Sequence, residues 1–248
     1  MKFFTACLGV ALLAACSNSP APSSTTAPGA AAPAGSSKVA GKIVVEGTVP
    51  RVNTIRIDGD PKCVALAQTS MRPAEYIVMG DGQTLQNVFV YVKDGLPARM
   101  YPVPTEPAVL DQQQCRYVPR VLGVQVGQQL TIHNSDPLLH NVRAEAAVNA
   151  AFDVGTPVQG METKRTFATR EVMVPIKCNV HGWMTAFIGV LEHPYFDVTD
   201  QAGQFSIERL PAGTYTIEIW HERFGTQTQQ VTIGDNDHKD LTFTFKVS

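Results

Sequence analysis

The chain has 248 residues and carries 20 Lys and Arg against 22 Asp and Glu, a formal net charge of −2. It has no block of like charge, and removing an N-terminal leader that holds Lys2 leaves it mildly acidic. The basic face that meets phosphates is therefore missing, and no nucleic-acid partner is expected.

Residues 1–15 read as an export signal. Lys2 supplies the positive start, and Phe3 to Ala15 form an apolar run too short to span a bilayer as a helix. The run ends in Leu13-Ala14-Ala15-Cys16, which resembles the bacterial lipobox. That resemblance implies cleavage before Cys16 and acylation of the new N-terminal cysteine. Ser17 and Asn18 follow, with no Asp just after the cysteine, and the resemblance to lipoproteins of two-membrane bacteria then implies a periplasm-facing place on the outer membrane. Residues 16–37 are nearly all Ser, Pro, Ala, Thr, Gly and Asn. They lack the apolar surface to fold and read as a disordered tether.

From residue 38 the pattern is β almost throughout. Ile43 and Val45, Val88 to Val92, Val124 to Val126, and Leu130 with Ile132 mark strands. Phe205 with Ile207, Tyr215 with Ile217 and Ile219, and Leu241, Phe243, Phe245 and Val247 alternate with polar residues, as half-buried strands do. Clusters of Gly, Pro, Asp and Asn separate these runs. Residues 62–71 are expected to form one short helix, and proline-rich 99–109 a connector. A composition change falls at His193-Pro194. Many short strands at regular spacing predict an all-β sandwich or barrel architecture.

The cysteines narrow the chemistry. Cys7 leaves with the signal and Cys16 carries lipid, so Cys63, Cys115 and Cys178 remain in an oxidising compartment. Cys178 has the neighbours of a metal ligand. Cys63 and Cys115 are then left as a candidate disulfide.

The stretch Cys178-Asn179-Val180-His181-Gly182-Trp183-Met184 offers thiolate, imidazole and thioether together. Val172, Val174, Ile176 and Cys178 share parity, so Cys178 is expected to point inward at a strand end, with His181 and Met184 folding back around one point. Soft sulfur donors with imidazole select copper, and a weak axial Met beside a plane of two His and one Cys is the blue-copper set. His140 supplies the second imidazole, in a loop that follows the turn signal Asn134-Ser135-Asp136-Pro137. Asn141 is expected to tie this loop to the Cys178 loop.

At these residues the chain resembles the cupredoxins, and the short-loop amicyanins most closely. The likeness lies in the C-x-x-H-x-x-M loop, the upstream His140-Asn141-Val142, and the stretches Tyr117-Val118-Pro119, Val124-Gln125-Val126-Gly127 and Leu130-Thr131-Ile132. It covers residues 105–192 and implies a Greek-key β-sandwich with one type 1 copper ion on His140, Cys178, His181 and Met184. It also implies electron transfer without enzymatic turnover, to a redox partner such as a c-type cytochrome or a periplasmic dehydrogenase. After His181 the chain departs from amicyanin. Gly182-Trp183 replaces proline and an aromatic, and Trp183 is left to shield the copper or to form part of a docking patch.

A second resemblance lies in Asp197 to Ile207, followed by Leu210-Pro211-Ala212-Gly213-Thr214-Tyr215. It is to the carboxypeptidase regulatory-like (transthyretin-like) β-sandwich, a scaffold or binding module. Such domains open with a strand of the form Gly41-Lys42-Ile43-Val44-Val45-Glu46-Gly47, which here lies far upstream. The copper domain is therefore expected to interrupt this sandwich, which would comprise residues 38–104 and 193–248. The alternative is a copper domain with N-terminal strands of its own and a separate C-terminal hairpin module.

The other candidates have plainer expectations. His133 has outward parity and stands in reserve for His140. His193, His221 and His238 read as surface or hydrogen-bonded turn residues, and Glu171, Glu192, Glu208 and Glu218 as solvated strand faces. No G-x-S-x-G, H-E-x-x-H or glycine-rich phosphate loop occurs, and no second set of copper ligands that an oxidase would need. Besides electron transfer, a copper carrier or storage role and a binding or adhesion module with a structural copper site remain open.

Overall fold

The structure is a computed structural model that describes residue 1 and residues 35–49 and 51–247. The signal, Cys16 and most of the tether lie outside the described residues. The strands are β1 (Ser37–Gly47), β2 (Thr54–Arg56), β3 (Met71–Pro73), β4 (Phe89–Asp94), β5 (Ala108–Gln112), β6 (Tyr117–Val118), β7 (Val121–Gln125), β8 (Leu130–Asn134) and β9 (His140–Ala144). They continue with β10 (Phe152–Thr156), β11 (Glu162–Arg165), β12 (Glu171–Lys177), β13 (Thr185–Leu191), β14 (Phe196–Val198), β15 (Gln204–Leu210), β16 (Gly213–His221), β17 (Gly225–Ile233) and β18 (His238–Val247). One α-helix, α1 (Pro61–Ala67), lies between β2 and β3.

Apart from β2 and β3, these strands make two β-sandwiches. In the outer one, a three-stranded sheet of order β15-β1-β18 faces a four-stranded sheet of order β14-β4-β16-β17. β1 runs parallel to β18, from Lys38 beside His238 to Gly47 beside Val247. The N-terminal strands β1 and β4 thus pair with strands that follow residue 195, and the outer sandwich is discontinuous. Phe243 and Phe245 lie in its core with Ile43, Val45, Val90, Val92, Ile217 and Ile219. Burying each such side chain contributes roughly 1.5–3 kcal/mol.

The inserted sandwich packs a five-stranded sheet of order β10-β9-β12-β13-β7 against a four-stranded sheet of order β11-β8-β5-β6. The non-consecutive pairs β7 with β13 and β5 with β8 are parallel. Its core includes Leu110, Val124, Leu130, Ile132, Val142, Val174, Ile176, Ile188 and Cys178.

β4 explains why residues 88–92 are apolar without alternation. Val90 and Val92 face the outer core, while Phe89 and Tyr91 face a third cluster with Val121, Met173 and Leu191 between the sandwiches. Both faces of the strand are covered. The same cluster alters the expected parity of β12. Met173 takes a left-handed φ of 66° at an irregularity in the β12–β13 register, and Val172 joins Met173 in the cluster between the sandwiches.

Several expectations are corrected. The helix is Pro61–Ala67 rather than 62–71, because Gln68 turns left-handed at φ 55° and β3 starts at Met71. Residues 54–73 do not join the outer sandwich: β2 and β3 form a ribbon of their own, and Cys63 and Leu66 pack into the core of the inserted one. Glu218 is not solvated. It is buried, accepts a hydrogen bond from the Tyr91 hydroxyl, and pairs with Lys93 at 2.6 Å. His193 and His221 are buried rather than on the surface; His193 lies in a bend and His221 ends β16, and the Nδ1 of each accepts a backbone N–H, from Tyr195 and Arg223 respectively.

Candidate metal centre

The centre is built where β9 begins and β12 ends. The backbone after Cys178 closes a tight loop: Met184 N–H donates to His181 O at 2.9 Å, and Cys178 N–H to Met184 O at 3.4 Å. Glycine at 182 lies in open space, so it meets no neighbour within the loop. His181 N–H points at Cys178 Sγ, 3.4 Å away. His140 comes from the first position of β9, across from Thr156 of β10. The ligand atoms of His140, Cys178 and His181 lie within 4.8 Å of one another. His140, Cys178, His181 and Met184 are all buried, and Met184 belongs to the same apolar cluster as Cys178.

Asn141 joins the two loops. Its Oδ1 accepts the N–H of Asn179 at 3.0 Å, and its amide donates to Asp153, which also receives the Asn179 amide at 2.8 Å. The buried Tyr117 hydroxyl donates to the Asn141 carbonyl. His133, the reserve candidate, is turned elsewhere. It pairs with Asp111 at 3.0 Å and sits 3.1 Å from Ser135 Oγ.

The outer nitrogens of the two imidazoles both meet carboxylates. His140 Nε2 lies 2.8 Å from Asp136 Oδ2, and His181 Nε2 lies 3.3 Å from Asp60 Oδ2. Asp136 also accepts the N–H groups of Gln114 and Cys115, both at 2.8 Å. Burial pushes the Asp136 carboxyl up, but His140 and those N–H groups outweigh it and hold it below the usual range. An ionised carboxylate only accepts, so each imidazole places its proton on Nε2. Both Nδ1 lone pairs then face each other across 3.0 Å. Two buried lone pairs at that distance repel unless a proton or a cation lies between them. Cys178 adds negative charge: burial opposes its ionisation, yet the two imidazoles and the N–H groups of His181 and Val180 bring its pKa down to about 5. A thiolate with two imidazole nitrogens, presented together in a buried pocket, fits a soft cation such as copper.

Two features escaped the sequence reading. Asp136 stands four residues before His140, inside a turn whose acid was read only as turn chemistry. Asp60 is 121 residues from His181, and its only signal was the Asp-Pro start of a short helix. The Cys63–Cys115 disulfide is present and lies against this centre. Both its sulfurs fall within 4.8 Å of a His181 ring nitrogen. Trp183 covers the same side, its ring centroid 5.1 Å from that of His181 and its Nε1–H donating to Cys115 O at 3.0 Å.

Among solved structures, the chain is similar to an oxidised amicyanin variant, with 24% identity over 41% of this chain and 97% of that one, at a TM-score of 0.32. It is also similar to a purple cupredoxin from Nitrosopumilus maritimus, with 19% identity over 34% of this chain and 98% of that one, at a TM-score of 0.29. A copper-containing nitrite reductase from Thermus scotoductus SA-01 aligns at 19% identity over 40% of this chain but only 25% of its own length, at a TM-score of 0.31. No curated protein sequence matches significantly. Residues 192–246 match the family model of the carboxypeptidase regulatory-like domain.

Proposed function

We propose that the protein is a lipid-anchored, periplasm-facing type 1 copper protein that carries electrons and catalyses no reaction of its own. One observation carries the reading: Cys178 Sγ and nitrogens of His140 and His181 converge within 4.8 Å in a buried pocket, with both imidazoles already oriented by carboxylates. Copper, when bound, supplies a one-electron couple between Cu(I) and Cu(II). The chain supplies the rest. Cys178 offers a thiolate at neutral pH, and His181 N–H steadies its sulfur. His140 and His181 would add two imidazole nitrogens to the Cys178 thiolate, and Met184 would offer a weak thioether donor. The Asn141 bridge fixes both loops beforehand, so little reorganisation accompanies gain or loss of an electron. The partner is then a redox protein such as a c-type cytochrome or a dehydrogenase of the same compartment, and Cys16 is the acylated anchor.

The test is an optical and electron paramagnetic resonance spectrum of the copper-loaded protein. The expected result is an intense thiolate-to-copper band that Cys178→Ser abolishes. Met184→Leu should keep the colour and raise the reduction potential. Copper binding without that band, with ready transfer of Cu(I) to an acceptor, would overturn this reading in favour of a copper carrier.

A further inference from the structure

His181 is 2% exposed, although its loop neighbours Val180 and Gly182 are exposed. Trp183 covers it from within the loop, and the remaining cover comes from outside. That outside cover is the segment around α1, which neither sandwich needs for its sheets. Asp60 is the N-cap of α1: its Oδ1 accepts the Lys62 N–H at 2.8 Å, which leaves Oδ2 to meet His181 Nε2. Three residues on, Cys63 joins Cys115 through the disulfide. Cys115 in turn accepts the Trp183 indole N–H on its carbonyl and gives its own N–H to Asp136, the carboxylate on the other histidine. Asp60 is thus held by the helix it caps, and that helix is tied covalently to Cys115, whose carbonyl is hydrogen-bonded to Trp183 of the metal loop.

The geometry points to Asp60 as a positioning residue for the copper ligand His181, one that fixes the imidazole with Nδ1 inward and strengthens it as a donor to Cu(II). This inference rests on the copper reading above. A carboxylate hydrogen-bonded to the outer nitrogen of a ligating histidine sets its tautomer and ring orientation and raises its basicity. More negative charge on the ligand favours Cu(II) over Cu(I). Asp136 does the same for His140, but from the turn that already carries that ligand. Asp60 is delivered by a segment whose place at the site the disulfide secures.

Asp60→Asn separates this role from the structural one, because Asn caps a helix as well as Asp does while losing the charge. In the copper-loaded full chain, the expected result is an unchanged thermal midpoint and retained colour. The ratio of Cu(II) to Cu(I) affinity should fall about tenfold, a rise of about 59 mV in potential for a one-electron couple. In the Cu(I) form, the His181 Nε2 proton should exchange with solvent faster than in the wild type. Asp60→Glu, which restores the carboxylate, should move the potential back toward the wild-type value. A normal blue spectrum with unchanged potential and unchanged proton exchange in Asp60→Asn would overturn the inference and leave the copper reading standing. A wild-type protein without the thiolate band would overturn the copper reading itself, and this inference with it.

Discussion

Gly123 of β7 and Gly189 of β13 lie opposite each other in parallel register, and the ring of Phe89 rests on the gap they leave. A Cβ on Gly189 would come within 2.5 Å of Phe89 Cζ and 2.6 Å of Met173 Cε. On Gly123 it would come within 2.2 Å of the Phe196 ring. The two sandwiches therefore meet on bare backbone. Gly189→Ala should force Phe89 out of its seat and cost about 1–3 kcal/mol, the usual penalty for overpacking. A denaturation midpoint equal to the wild type would contradict this close approach.

Arg120 joins the sandwiches by charge. Its Nε and Nη2 reach the two carboxylate oxygens of Glu222 at 2.6 and 2.9 Å, and its Nη1 donates to Thr185 O at 3.1 Å. The two side chains are only 10% and 13% exposed, so loss of one partner strands the other. Arg120→Met should destabilise by about 3 kcal/mol. The double variant with Glu222→Met should recover most of that loss. Equal destabilisation in single and double variants would show that the pair is not coupled.

The Cys63–Cys115 disulfide closes a loop with a sequence separation of 52. Chain-entropy reasoning assigns such a bridge about 4 kcal/mol. Replacing both cysteines with Ala should lower stability by a few kcal/mol and release α1, so that His181 becomes accessible to a small imidazole-reactive reagent. Peptide mapping of the native protein under non-reducing conditions checks the bridge directly.

Stability should fall in mild acid because of two histidines far from the metal centre. Burial, helped by Arg120 and Arg223, pushes His221 down to about 4, and burial does the same to His193. A free histidine titrates near 6.5, so the unfolded chain takes up these protons first. The stabilisation is complete above about pH 6.5 and is lost as the pH falls toward about 4, roughly 3 kcal/mol for each histidine. His221→Phe keeps a ring beside Phe224, whose centroid is 4.9 Å away. It should flatten the stability profile in that window by up to one proton, about 1.4 kcal/mol per pH unit. Parallel profiles for wild type and variant would refute this.

Where the sequence reading reached its limit follows one pattern. The thiolate, imidazole and thioether of 178–184 were legible because their spacing fits a single turn, and His140 because a turn signal precedes it, although it opens β9 rather than lying in a loop. The Cys63–Cys115 pair followed from an odd cysteine count once Cys178 was set aside. Glu218 was misread because alternation along β16 identifies two faces without saying what covers the second. Ile217 and Ile219 point into the outer core. The opposite face meets not water but Tyr91 and Lys93 of β4.

The sequence by itself determined the strands, their apolar faces and the residue types able to hold a soft metal. These depend on local periodicity, turn chemistry and donor identity, which a linear reading contains. Only the tertiary structure decided that α1 leaves the sandwich of its neighbouring strands to lie on the metal loop, that Asp60 and Asp136 take the outer nitrogens of His181 and His140, and that two histidines are buried away from the centre. Those outcomes depend on which surfaces close over one another between residues as far apart as 60 and 181, and burial changes a carboxylate or an imidazole only after that closure has removed its water.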